Sequence, residues 1–161
     1  MFAFAGTSSA TTVSYDVANI SGNTWEYSYT VSNDTLGLAI EEFTIYYDYT
    51  AYQNLISTAV PSGWDPLVIQ PDTELPDDGF YDALVISGSG IGVGGSLGVF
   101  SVQFDYLLGG TPGSQAFDIV DPDTFDVLDS GQTALTAVPV PAAIWLLLSG
   151  LIGLAGVCRA R

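Results

Sequence analysis

TWEYSYTVSN, from Thr24 to Asn33, alternates without a break. Trp25, Tyr27, Tyr29 and Val31 fall on one side, and Glu26, Ser28, Thr30 and Ser32 on the other. Successive side chains of an extended backbone point to opposite faces. The stretch therefore reads as a half-buried strand with an aromatic inner face. Ser21-Gly22-Asn23 stands just before it, after Val13–Val17, and reads as a hairpin turn. The alternation returns in Phe43, Ile45, Tyr47 and Tyr49, and again in Phe100, Val102, Phe104 and Tyr106. Weaker strands are predicted over Leu55–Val60, Pro66–Ile69, Tyr81–Ser87, Ala116–Val120 and Phe125–Leu128. No stretch before the last two dozen residues carries helical periodicity with caps. Many short strands between Gly- and Pro-rich turns predict an all-β chain, an antiparallel β-sandwich over residues 11–128. Asp129–Ala137, DSGQTALTA, is small and polar and reads as a flexible linker.

Charge narrows the function further. All 18 acidic residues lie at or before Asp129, and the only basic ones are Arg159 and Arg161. The stretch before the tail thus carries a formal −18, with no Lys, Arg or His to offset it. Nucleic acid is excluded as a partner, because no basic patch exists to meet phosphates. Without His or Lys, Ser-His-Asp catalysis, His-metal sites and Schiff bases are also excluded. The chain therefore reads as non-enzymatic. A paired-carboxylate hydrolase is the one catalytic alternative, and no acidic pair stands out for it.

The two ends look like export signals. MFAFAGTSSA, residues 1–10, resembles the rear of a secretory signal peptide, with an apolar stub and a small-residue cleavage site. At the other end Ala142–Val157 runs without a charge, and counting back to Val138 gives a length that spans a bilayer as a transmembrane helix. Arg159 and Arg161 follow at once, as a membrane stop that favours the cytoplasmic side. Pro139 and Pro141 hold an extended, accessible backbone before that helix.

Val138-Pro139-Val140-Pro141-Ala142, then an apolar run with Trp145, Ser149 and Gly150, then a short basic end, resembles a PEP-CTERM sorting signal in its Val-Pro-Leu-Pro-Ala-like form. The resemblance covers residues 138–161 only. It implies export in a Gram-negative bacterium that makes exopolysaccharide. It also implies recognition by an exosortase that cuts near the Pro-x-Pro, with Val138, Pro139 and Pro141 as the matching positions. Val140 stands where the family's commonest motif has Glu. The implied destination is the cell envelope, cell surface or extracellular matrix, with the arginines cytoplasmic before processing. The family is defined by its tail, so the resemblance leaves the role of the sandwich open.

Three features of the sandwich are candidate sites. Asp118, Asp121, Asp123, Asp126 and Asp129 form an acidic run, and Asp121, Asp123 and Asp126 are the candidate calcium ligands. The EF-hand pattern fails, since Asp126 stands where the loop needs Gly. Asp72, Glu74, Asp77, Asp78 and Asp82 form a second acidic cluster, with solvated loop charge as the plain alternative for both. Trp64, beside a turn in SGWDP, is a candidate for stacking on a sugar, against the alternative of core packing. Of the nearby tyrosines, alternation places Tyr47 and Tyr49 inside and Tyr46 outside. Glycine-rich Ser87–Gly98 lacks the helix and Lys of a phosphate-binding loop and reads as a hairpin or crossover. The leading expectation is an exported surface or exopolysaccharide-matrix protein, with a calcium-dependent or aromatic glycan-binding module as the alternative. A topology reporter fused behind Leu135, with a secretion signal upstream, is expected to report from outside the cytosol.

Overall fold

The computed structural model describes residues 11–137. Ten strands and no helix occur among the described residues: β1 Thr11–Ser21, β2 Thr24–Asn33, β3 Glu42–Tyr47, β4 Tyr52–Ala59, β5 Trp64–Ile69, β6 Gly79–Val85, β7 Ser96–Tyr106, β8 Ala116–Val120, β9 Val127–Gln132 and β10 Ala134–Leu135. They form two five-stranded sheets. Sheet one runs β10-β1-β2-β7-β4, and sheet two runs β5-β6-β3-β8-β9. This is the expected all-β sandwich. Every strand pair is antiparallel except β1 with β10, which is parallel.

The alternation places the core where it predicts. Tyr27, Tyr29 and Val31 of β2 are wholly buried, as are Phe43, Ile45 and Tyr47 of β3 and Phe100 and Val102 of β7. The sheets interlock through rings. Phe43 of sheet two meets Phe100 of sheet one edge-on at 4.9 Å, and Tyr47 of sheet two lies tilted against Phe104 of sheet one at 6.1 Å. Such ring pairs add about 0.5–1.5 kcal/mol each beyond the area they bury. Tyr49 departs from its expected inward position. β3 ends at Tyr47, and Tyr49 sits half-buried in the following turn.

So many tyrosines bring hydroxyls into the core, and each needs a partner. Gln115, in the approach to β8, supplies most of them. Its Oε1 accepts from Tyr29 at 3.1 Å and from Thr133 Oγ1 at 3.2 Å. Its Nε2 donates to Tyr27 Oη at 2.6 Å and to Tyr52 Oη at 3.1 Å. Tyr47 Oη lies 2.8 Å from Tyr29 Oη, and Tyr27 donates to the Gly113 carbonyl at 2.7 Å. Burial pushes the Tyr27, Tyr29 and Tyr47 phenols far above their ordinary range, so all stay neutral donors.

The expected linker Asp129–Ala137 is corrected by the structure. Its first residues belong to β9, and Ala134–Leu135 is β10, paired with Ser14 and Tyr15 of β1. The small polar residues are there for fit. A Cβ on Gly131 would come within 2.9 Å of the Phe117 ring. Thr133 is buried, and its hydroxyl accepts from Gln115 N at 2.9 Å. Low hydrophobicity here marks an edge packed against a full core, not a chain without structure. The Ser87–Gly98 stretch crosses from sheet two to sheet one, with buried Ile91 bridged to Ile40. The signal-peptide remnant of residues 1–10, the motif Val138–Pro141, the expected helix and Arg159 and Arg161 lie outside the described residues.

Gln115→Ala should strand several buried hydroxyls at once. It is expected to lower unfolding stability by about 2–4 kcal/mol in urea, against less than about 0.5 kcal/mol for the same change at exposed Gln132.

Candidate functional site

Trp64 is corrected first. It opens β5 and is only 7% exposed. Its ring packs edge-on against Phe100 at 5.1 Å and tilted against Phe43 at 5.9 Å. It is a core residue and offers no platform to a sugar. Strand alternation from Trp64 inward to Val68 already carried that signal.

The calcium candidates do not converge. Asp121 Oδ1 accepts from the Asp123 and Thr124 amides at 2.9 and 3.2 Å, closing the β8–β9 turn. Asp118 instead lies on the sheet and accepts from Tyr46 Oη at 2.9 Å. Among the described residues, no three acidic side chains gather into a metal-binding group. The second cluster divides in the same way: Asp82 is a strand residue bonded to Thr44 Oγ1 at 2.7 Å, and the others sit in the β5–β6 connection.

Both outer faces carry polar side chains and some exposed apolar ones. On sheet one, the polar groups bond one another. Ser28 and Ser101 hydroxyls lie 3.2 Å apart, Ser32 and Ser96 hydroxyls 2.8 Å apart, and Thr24 donates to Asp105 at 2.7 Å. On sheet two, apolar side chains stand outward beside carboxylates. Leu67 and Ile69 are exposed on β5, and Phe80 and Leu84 are half-buried on β6. Thr44 and Tyr46 of β3 share that face, the latter outward as alternation predicts.

One end of this second face is concave. Ile69, Phe80 and Tyr46 form a row across β5, β6 and β3, because Phe80 pairs with both of the others in register. With Asp72, Asp77 and Asp78 they line a cavity of about 550 Å³, within the size range of small-ligand sites. Two backbone bonds between Asp72 and Asp77, at 3.0 and 3.1 Å, pin the connection. Asp72 Oδ1 accepts from the Glu74 and Leu75 amides, and Asp78 Oδ1 from the Tyr49 amide. Gly79 lets the chain fold this closely: a Cβ there would lie 2.5 Å from the Pro71 ring. Gln70 also borders the cavity, but its amide is spent bridging to both backbone groups of Leu55 across the sandwich. Phe80 was missed in the sequence. Its signal was an aromatic at an outward position, between inward Gly79 and Tyr81.

Electrostatics separates the cavity from the raised acids. Burial, then repulsion from Asp82 and Asp121, pushes Glu42 above its ordinary value. Burial also raises Asp82, with the Thr44 hydrogen bond opposing. Neither lines the cavity. The two raised acids thus lie apart from the cavity. Tyr46 is pushed up to about 12, by burial first and then by its bond to Asp118, so it is a neutral hydroxyl.

No family model matches the chain, and no curated protein does. Solved structures resemble it at low identity. A cohesin module of a family 33 glycoside hydrolase from Clostridium perfringens is 9% identical over 80% of this chain and 98% of its own, with a TM-score of 0.47. A family 3b carbohydrate-binding module from Clostridium clariflavum is 12% identical over 70% and 93%, with a TM-score of 0.45. A chitin-binding domain from Streptomyces coelicolor is 17% identical over 67% and 90%, with a TM-score of 0.43. All three scores lie below one half, and nothing functional is carried across from them.

The pH dependence follows from the raised pair. A carboxyl with a folded pKa above its unfolded one stabilises most below the unfolded value, and that contribution is lost as pH rises through the folded value. For Glu42 and Asp82 the unfolded values are 4.5 and 3.8. Asp48 and Asp105 are lowered by their hydrogen bonds, and their contribution fades only as pH falls below 3.8. Between pH 7 and the mid-4s the melting midpoint is therefore expected to rise. Calorimetry should show a smaller rise in Asp82→Asn.

Proposed function

We propose that the chain is an exported, non-catalytic protein of the cell envelope or its polysaccharide matrix, whose sandwich holds glycan in the Tyr46–Phe80 cavity. The cavity itself carries this reading. It pairs an apolar row with a rim of carboxylates on the outer face of sheet two. A sugar ring has the matching halves. Its C–H face packs on aromatic and aliphatic surface, and its hydroxyls donate to carboxylate oxygens, which only accept. The absence of His and Lys from the sequence and the separation of the cavity from Glu42 and Asp82 support binding without turnover.

Delivery belongs to the same reading. The chain leaves the sandwich at Leu135, and Thr136 donates to the Tyr15 carbonyl at 2.9 Å. Only Thr136 and Ala137 then precede Val138. An exosortase acting at Val138–Pro141 would work within a few residues of folded protein. If the apolar run enters a bilayer at Ala142, the sandwich is held within about 20 Å of it, the reach of the intervening extended chain. Glycan bound by this protein would be gripped close to the membrane surface.

Affinity electrophoresis through gels cast with neutral and amino-sugar polysaccharides tests the binding half. Retardation is expected with at least one of them. Tyr46→Ala and Phe80→Ala should each weaken it about tenfold, roughly 1.4 kcal/mol, with the fold intact by circular dichroism. Free migration through every such gel would remove the proposal.

A further inference from the structure

Hydroxyl groups occur on every glycan and do not choose between classes; charge does. Between residues 11 and 137 there is no Lys, Arg or His, and the charged groups at the cavity are three aspartates. A uronate, sulfate or phosphate placed there would face carboxylates with no cation to offset them. Polyanionic glycans are therefore the wrong ligands.

Between neutral and cationic glycans, the unspent acceptors decide. Asp77 uses only its backbone in the bonds that close its loop. Asp72 and Asp78 each commit one oxygen to backbone amides, leaving the other. These are carboxylate oxygens without donors at the rim of a cavity lined by two aromatic rings. A protonated amine satisfies both features. It donates charge-assisted hydrogen bonds, roughly twice as strong as neutral ones. It is also drawn to the faces of aromatic rings. Beyond the cavity the same outer face continues with Asp82 and Asp118, in register on either side of Thr44, and with Glu42 two residues along β3. A long ligand lying on this face would meet carboxylates along its length.

We infer that the Tyr46–Phe80 cavity takes a glycan bearing free amines, a polymer of unacylated amino sugars, in preference to the same polymer acylated or to any acidic glycan. This rests on the glycan-binding reading above and narrows it to one charge class. The pairing of two aromatic rings with three aspartates at the cavity sets this apart from the general attraction of a polycation to an acidic protein.

The experiment is titration calorimetry of the full chain in detergent, at about pH 5.5, where carboxylates stay ionised. The probes are β-1,4-linked glucosamine oligomers and their N-acetylated counterparts of equal length. The amine form is expected to bind at least about tenfold tighter and to lose most of that margin in high salt, where charges are screened over a few ångströms. Asp77→Asn should erase the preference while leaving the acetylated ligand unaffected. Asp16→Asn, an acid on the opposite sheet, should leave the preference in place. Equal affinity for the two oligomers would overturn the inference and spare the glycan-binding reading. Equal losses in the Asp16 and Asp77 variants, or amine binding undisturbed by Tyr46→Ala, would reduce the effect to unspecific charge attraction and overturn it too. Binding of neither oligomer, nor of any other glycan, would remove both.

Discussion

No cation is available between residues 11 and 137 to pair with any carboxylate, so each acidic side chain depends on neutral donors or on water. The sandwich is built around that shortage. Thr12 serves Asp34, Thr24 and Asn54 serve Asp105, Thr44 serves Asp82, Tyr46 serves Asp118 and Thr58 serves Glu26. Asp48, Asp72, Asp78 and Asp121 accept backbone amides in turns. Hydroxyls and amides thus do the work that lysine and arginine do elsewhere. Such bonds fix geometry but leave the charge in place. The high Ser and Thr content of the outer faces is a direct consequence.

The same economy governs the inside. The tyrosines give the core its volume, and the hydroxyls of Tyr27, Tyr29 and Tyr52 are pooled around one amide, that of Gln115. Buried polar groups of this kind favour one arrangement, because any slip leaves several unpaired together. The β7–β8 connection and the start of β10 meet at this point through Gln115 and Thr133. The C-terminal edge of the sandwich is thereby tied to its centre.

Period-two alternation was enough to place β2, β3 and β7 and to choose their inner faces, because most of one face of each is buried. It failed where side-chain size stopped reporting burial. Gly131 and Thr133 look like linker residues, yet one is small because Phe117 lies against it and the other is buried for its hydroxyl. Trp64 looked like a surface aromatic beside a turn, and its strand begins two residues before the expected Pro66. The cavity could not be read at all as a unit. Tyr46, Ile69 and Phe80 come from three strands, and only the register of β5, β6 and β3 sets them in one row. The outward side of Tyr46 was visible; its companions were not.

β10 runs parallel to β1, the sole parallel pair among the described residues. Pull the chain at residue 11 and at residue 137 in opposite directions. The two strands then slide past each other along their length. The Ser14–Ala134 and Tyr15–Leu135 contacts and the Thr136 bond to Tyr15 take the load together, in shear. An antiparallel final strand would put both handles at one end and open bond by bond, like a zip. The short closing strand is therefore a mechanical latch, strongest against tension between the two ends of the sandwich.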